Sequence, residues 1–378
     1  MPILTAELAQ DIVSRTMRII PFNVNVMDAQ GAILGSGDAG RLGQLHDGAL
    51  LALAQRRTVE IDEATAGKLH GSRPGINLPL HVNGRIAGVV GLTGQPEQVR
   101  QFGELVRLTA EMILEQAQLQ RALQHDARQR EAFVLEWIRG EPGAALDAWA
   151  QRLGLRLEQH HVALSLQLDE EGLAADQAQA ALQQLQSALA ARWPRLLSAA
   201  TGPYELVLVE ACEEEGEAER EALLQRRLRA LAAWLEETAA PGFRLGMGIA
   251  LPGRDGAAQS CLSARAAARI GRQRQPKRRA HSYYELALPV LLSGLDHGWQ
   301  AQQLRQPLQR LEQAGKSGLR RTAEAWFAHQ SHPGATARAL HIHRNTLDYR
   351  LGRIADITGL DLQRHEDRFR LYVALLLG

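Results

Sequence analysis

The chain has 378 residues, 45% hydrophobic and 22% charged, with a formal charge of +1, the balance of an ordinary globular protein too long for one core. That near-neutral charge excludes a chain basic throughout, so any nucleic-acid affinity has to come from a local face. Two cysteines without a CxxC motif, no apolar run near the roughly 18 residues of a membrane span and no signal-peptide core predict a cytoplasmic protein without membrane partners.

Residues 4–19 carry an amphipathic helical pattern with Thr5 placed as its N-cap. Asn23-Val-Asn-Val-Met-Asp28 alternates as a strand, Asp28 to Gly31 makes a turn, and residues 32–36 read as a second strand. A later hairpin, residues 75–80 and 85–93, is signalled by the Asn83-Gly84 turn. Hairpins separated by helices predict a small α/β sensor of PAS-like type. Between them, Gly35-Ser-Gly-Asp-Ala-Gly-Arg-Leu-Gly-Gln-Leu-His-Asp-Gly-Ala49 gathers backbone N–H groups with Ser36, Arg41 and His46. A carboxylate needs such donors, and a guanidinium can hold it with two parallel bonds. Arg73-Pro-Gly-Ile-Asn-Leu-Pro79 supplies a second wall, with Asn77 able to donate or accept. The same pattern also describes a Gly-rich surface turn with solvated side chains.

Residues 96–140 predict one long helix that starts on Pro96. Phe102, Leu105, Thr109, Met112, Gln116, Leu119 and Leu123 recur at heptad-like spacing, which predicts a dimerising seam or a helix packed on its own domain. Residues 141–285 alternate strands and helices in a β-α-β-β-α-β-α order with a central hairpin, a ferredoxin-like or palm-like pattern. Gly202-Pro-Tyr-Glu-Leu206 at that hairpin is similar to the Gly-Gly-Asp-Glu-Phe turn of diguanylate cyclases, with Pro203 and Tyr204 in place of Gly and Asp. Metal-dependent nucleotidyl transfer needs the missing carboxylate and the close approach at glycine. A degenerate palm with no catalytic residues is expected, and a nucleotide cyclase is the rival reading. His160 and His161 are adjacent on a strand and face opposite sides, so no metal site is expected there. The Arg272 to Arg279 cluster reads as a solvated loop or a second phosphate-contacting surface.

Residues 286–318 read as a helical linker interrupted near Pro307. Residues 319–378 carry nine Arg against six Asp or Glu, a local net of +3. A helix over residues 319–330 with Trp326 and Phe327 as core is followed by a short helix over residues 335–340. A turn through His341, Ile342 and His343 leads into a longer helix over residues 344–358, and residues 368–377 close the unit. Leu347, Leu351 and Ile354 form one apolar stripe, and Arg344, Asn345, Asp348, Tyr349 and Arg353 point elsewhere. A helix buried on one face and polar on the other can lie in a major groove, where Arg and Asn make paired bonds to guanine and adenine. An ordinary helical hairpin fits the spacing as well. Thr336, His343, Thr346 and Arg350 complete the set of candidate DNA-contacting residues.

Ala337-x-Ala-Leu-x-Ile-x-Arg-Asn-Thr-Leu-x-x-Arg-Leu351 resembles the C-terminal helix-turn-helix domain of PucR-type and sugar diacid regulators, and the likeness runs on through Ile357-Thr-Gly-Leu-Asp-Leu362 and Glu366-Asp-Arg-Phe-Arg-Leu-Tyr-Val-Ala-Leu375. Asp348 stands where that family usually has a basic residue. Residues 3–117 resemble the sugar diacid recognition domain through Asn23-Val-Asn-Val-Met-Asp28, Gly35-Ser-Gly-Asp38, Arg41-x-Gly-x-x-His-x-Gly-Ala49, Pro74-Gly-Ile-Asn-Leu-Pro79 and Gly84-x-x-x-Gly-Val-Val-Gly-Leu-Thr-Gly94. The resemblance implies a sensor over residues 1–117, a signalling helix over 96–140, a GGDEF-like spacer over 141–285, a linker over 286–318 and a DNA reader over 319–378. It implies no enzyme and no cofactor. The implied partners are promoter DNA, a sugar-acid effector such as glucarate, galactarate or glycerate, and a second copy of the chain. Ser36, Arg41, His46, Lys68 and the Gly75, Ile76, Asn77, Leu78 segment are implied as effector contacts.

Overall fold

The computed structural model describes residues 3–70, 72–140, 143–213, 216–238, 242–295, 298–315 and 317–378. Contacts divide the chain into two compact units, residues 1–128 and 129–378.

In the first unit, helix α1 (Ala6–Thr16) begins on Thr5, whose hydroxyl accepts from the Leu8 N–H as its polar N-cap position predicts. Five strands follow: β1 (Val24–Met27), β2 (Ile33–Ser36), β3 (Val59–Ile61), β4 (Gly75–Val82) and β5 (Arg85–Thr93). They form an antiparallel sheet in the order β2-β1-β5-β4-β3. Asn83 and Gly84 both take positive φ, the geometry that a two-residue hairpin turn requires. Helices α2 (Asp47–Gln55) and α3 (Glu63–Ala66) lie between β2 and β4 in sequence.

Alternation along the strands divides the sheet's faces. Val24, Val26, Ile76, Leu78, Leu80, Val90 and Leu92 share a core with Ile12, Val13, Val99, Val106, Ala110 and Leu114, on the face covered by α1 and by helix α4 (Pro96–Arg139). Met27, Ile33 and Val89 pack with Ala49 and Ala52 of α2 on the other. Among the described residues, the buried polar side chains of the strands, Asn25, Ser36 and Asn77, lie on this second face.

Helix α4 runs for 44 residues, about 66 Å at 1.5 Å per residue. Within the first unit, Val99, Val106, Ala110 and Leu114 are its buried stripe. The seam expected from the sequence divides between two faces: Phe102 is half-buried against Phe22, and Leu105, Met112, Leu119 and Leu123 are exposed. Leu108, also exposed, joins that outward stripe, whereas the Thr109 hydroxyl turns back to the Leu105 carbonyl.

The second unit takes up the last turns of α4. Phe133, Val134 and Trp137 are buried in its core, and the indole N–H of Trp137 donates to the Arg254 carbonyl at 2.8 Å. Residues 141–142, where the sequence reading begins the palm, lie outside the described residues. Helix α5 (Ala144–Arg152) precedes β6 (His160–Leu168), α6 (Ala175–Arg192), the hairpin β7 (Leu197–Ala200) and β8 (Glu205–Cys212), α7 (Glu217–Glu237), β9 (Phe243–Met247), α8 (Gly256–Arg274) and β10 (Ala280–Ser282). The sheet order is β10-β9-β6-β8-β7, with β6 central and antiparallel to both neighbours and β10 parallel to β9.

Helix α9 (Ala287–Leu292) and helix α10 (Trp299–Gln313) occupy the expected linker. Pro307 does not interrupt it: the residue is buried inside α10, and the break falls earlier, after α9. Residues 296–297 of that stretch lie outside the described residues. Helices α11 (Ser317–Ala328), α12 (Pro333–Ala339), α13 (Arg344–Thr358) and α14 (His365–Leu377) form the all-helical end. Leu347 and Ile354 are fully buried, with Leu351 half-buried between them, as the stripe predicts.

Candidate ligand site and DNA interface

On the α2 face of the first sheet, the segment after β2 folds over the strands. Asp38 caps a single turn of 3-10 helix, Ala39–Arg41, by accepting from the Gly40 N–H. Arg41 is only 6% exposed, although most arginines remain in water. Burial, then the charge of Arg73, pulls its guanidinium below the ordinary arginine range. His46 is 4% exposed and caps α2, its Nδ1 accepting from the Ala49 N–H at 3.2 Å. Burial first, then Arg41, lowers the imidazole to a pKa of about 4. It is therefore neutral near pH 7, and because Nδ1 accepts, the proton sits on Nε2 as a donor. A Cβ on Gly48 would stand 2.8 Å from Asn77 Nδ2 and 3.0 Å from His46 Cε1, so glycine there lets α2 and β4 bring the two side chains together.

Ser36, Arg41, His46 and Asn77 thus share one buried polar surface. Ser36 donates to Asn25 Oδ1 at 2.6 Å and accepts from the Asp38 N–H at 3.0 Å. Of the expected 75–78 wall, only Asn77 presents a side chain here. Ile76 and Leu78 turn to the opposite face because β-strand side chains alternate, and a Cβ on Gly75 would press on the Leu92 backbone. Lys68 is exposed beyond α3. Arg73 is exposed and paired with Asp38 at 3.6 Å. Asn25, on β1 beside Ser36, was missed by the sequence reading; its only signal was an Asn inside an alternating apolar strand.

In the palm, the single retained acid of the Gly202 to Leu206 turn is fully engaged. Glu205 receives two bonds from Arg265, at 2.9 and 2.7 Å, and further bonds from Ser165 and Thr201. Burial opposes its ionisation, but those four donors prevail and hold its pKa at about 2. His161 is buried on β6 edge-on to Trp137 and His160 is half-buried beside it. Among the described residues no group of three His, Cys, Asp or Glu gathers to hold a metal ion.

At the C-terminal end, α12 and α13 meet through Ala337 and Leu347, which pack with Trp326 of α11. His341 in the corner takes φ +54°, and His343 caps α13 by accepting from the Asn345 N–H. Arg344, Asn345, Thr346, Asp348 and Tyr349 are all exposed along the outer side of α13, Tyr349 at 68%. Arg353 is half-buried and paired with Asp356 at 3.2 Å. Two expected contacts lie inward instead. Thr336 is fully buried and donates to the His332 carbonyl, and Arg350 is half-buried and donates to Thr322 on α11. Position within a helix pair does not reveal such inward bonds.

A short helix, a tight corner and a longer helix with an exposed polar face define a helix-turn-helix reader. Family models agree: the PucR C-terminal helix-turn-helix domain matches residues 319–377, a GGDEF-like domain residues 139–270, and the sugar diacid recognition model residues 4–137. The chain is 48% identical over 377 residues to the carbohydrate diacid regulator of Escherichia coli strain K12, spanning 99% of this chain and 98% of that protein. It is 33% identical to an uncharacterized protein of Haemophilus influenzae, spanning 98% of each. The chain belongs to the carbohydrate diacid regulator family, and is a transcriptional regulator with a helix-turn-helix domain. A crystal structure of a regulator of polyketide synthase expression from Bifidobacterium adolescentis aligns with 66% of this chain and 92% of its own at 19% identity, with a TM-score of 0.32.

Proposed function

We propose that the chain activates genes for the use of sugar diacids or glycerate when a small hydroxy-carboxylate occupies its PAS-like N-terminal domain. The observation that carries this reading is a buried guanidinium, Arg41, next to a neutral imidazole, His46, at the start of α2. Arg41 supplies the charge that a carboxylate needs, and His46 donates through Nε2 without adding a second charge. Ser36 and Asn77 complete the contacts; Ile76 and Leu78 face the other side of the sheet, Gly75 has no side chain to offer, and Lys68 is exposed.

The exposed stripe Leu105, Leu108, Met112, Leu119 and Leu123 on α4 is the seam of a homodimer in this reading. Two readers on one two-fold axis fit palindromic half-sites. Arg344, Asn345, Thr346, Asp348 and Tyr349 face the groove, with Asp348 accepting from a cytosine amino group. Effector binding favours one arrangement of the dimer by its differential affinity, and α4, core to both units, transmits it. No helix among the described residues is long and apolar enough to cross a membrane, which accords with a cytoplasmic regulator. The palm serves as a spacer without turnover: the one carboxylate of its Gly202 to Leu206 turn is held by Arg265, and incubation with GTP and Mg²⁺ is expected to give no product above blank.

Thermal shift tests the pocket. Arg41→Ala removes the acid-induced rise in melting temperature and leaves the apo-protein folded; a rise equal to that of the unsubstituted protein contradicts the assignment.

A further inference from the structure

The register of the sensor sheet sets Ser36, Asn25, Gly91 and Asn77 side by side in one row across β2, β1, β5 and β4. The row lies on the α2 face, because Met27 and Val89, two residues along β1 and β5, pack against Ala49 and Ala52 there. Neighbouring strands are about 4.8 Å apart, so Asn25 and Asn77 stand about 10 Å apart with a glycine between them. A Cβ on Gly91 would come within 3.0 Å of Asn77 Oδ1 and 3.3 Å of Met27 Cε. The Asn77 amide and the Met27 methyl therefore both reach over Gly91.

Asn77 is 3% exposed, and its Oδ1 is buried without a hydrogen-bond donor. Leaving a buried carbonyl oxygen bare costs about 1–3 kcal/mol, a cost that a ligand removes only if it brings a donor. A carboxylate or a keto oxygen cannot; a hydroxyl can. On the other side of the gap, Asn25 Oδ1 already accepts from Ser36 Oγ at 2.6 Å and Asn23 Nδ2 at 3.3 Å. What Asn25 has left to offer is its Nδ2 donor. The two amides thus present opposite polarities to whatever lies between them, and a hydroxyl is the small group that satisfies either.

We infer that Asn25, Gly91 and Asn77 form a hydroxyl-reading floor: hydroxyls of a polyhydroxy acid donate to Asn77 Oδ1 and accept from Asn25 Nδ2, with the carbon chain lying over Gly91. The inference rests on the reading of this site as an acid receptor in which Arg41 holds the carboxylate, and it assigns discrimination between hydroxy acids and their deoxy analogues to the floor alone.

Differential scanning fluorimetry of the full chain tests it with three pairs of probes: galactarate and adipate, tartrate and succinate, glycerate and 3-hydroxypropionate. The unsubstituted protein prefers the more hydroxylated member of a pair by at least about tenfold in Kd, the worth of one buried hydrogen bond. Asn77→Ala and Gly91→Ala reduce that preference to within about twofold, and Arg41→Ala weakens both members of the pair together. Asn25→Ala gives a second reading of the floor should Gly91→Ala fail to fold, apo melting temperatures being recorded for each. Full preference retained in folded Asn77→Ala and Asn25→Ala overturns the inference while leaving the acid receptor standing. Unchanged binding in Arg41→Ala, or no response of the unsubstituted protein to any probe, removes the receptor and the floor with it.

Discussion

The sensor and the palm each hold a polar cluster on a sheet, and the two clusters are finished in opposite ways. In the palm, Arg265, Ser165 and Thr201 satisfy Glu205 from all sides. In the sensor, Asn77 keeps a bare oxygen, His46 is held neutral with its Nε2 proton available, and Gly91 adds no side chain of its own between two amides. A polar cluster completed by its own neighbours fastens a fold. One kept incomplete inside a core has a cost that only an incoming molecule relieves.

Breaking the fastener has the largest expected effect. Glu205→Ala leaves Arg265 partly buried without its acid, and urea unfolding is expected to show a loss of roughly 2–4 kcal/mol. The sign with pH follows from the depressed pKa of about 2: the Glu205 contribution is fully present above the ordinary carboxylate range and is lost as pH falls towards 2. A variant as stable as the unsubstituted protein, with the same acid limb, would show that the cluster fastens nothing.

Arg344→Ala, at the exposed start of α13, is expected to remove about 1–3 kcal/mol of discrimination between preferred and unrelated DNA in anisotropy titrations. Substituting Arg353, engaged with Asp356 at the edge of that face, is expected to weaken all sequences alike. Equal discrimination in Arg344→Ala would place the reading surface elsewhere.

A smaller effect separates His46 from the remaining histidines. Its folded-state pKa lies near 4, below the ordinary 6.5, so between those values the unfolded chain binds the extra proton and stability falls as pH is lowered. His46→Asn keeps a capping side chain but does not titrate. Its unfolding free energy is expected to fall less between pH 7 and 4, by a difference on the order of 2 kcal/mol. Parallel curves for the two proteins would contradict the buried neutral state.

Much of this was legible in the chain before its fold. Thr5, the Asn83-Gly84 turn and the uninterrupted 96–139 stretch mark their elements because capping, positive φ and the absence of helix breakers are local properties. Arg41 and His46 could be nominated because the small residues of the 35–49 stretch leave backbone donors beside them, although a solvated Gly-rich turn fits the same pattern. What escaped is what depends on partners distant in sequence. Gly91 and Asn25 matter only through strand register, which sets both in line with Asn77. Arg350 and Thr336 look like surface residues until α11 and the preceding turn supply their acceptors. Pro307 reads as a breaker, yet it sits inside α10 with the chain broken after α9 instead.

The central claim is that occupancy of the sensor changes how the reader holds DNA. Its most direct test is fluorescence anisotropy with a duplex selected from a random library by the unsubstituted protein, titrated with and without saturating galactarate or glycerate. The account predicts that one of these acids shifts the DNA Kd by about fivefold or more and that Arg41→Ala, still folded, shows no shift. An affinity indifferent to both acids, or an Arg41→Ala protein that responds as fully as the unsubstituted one, would contradict it.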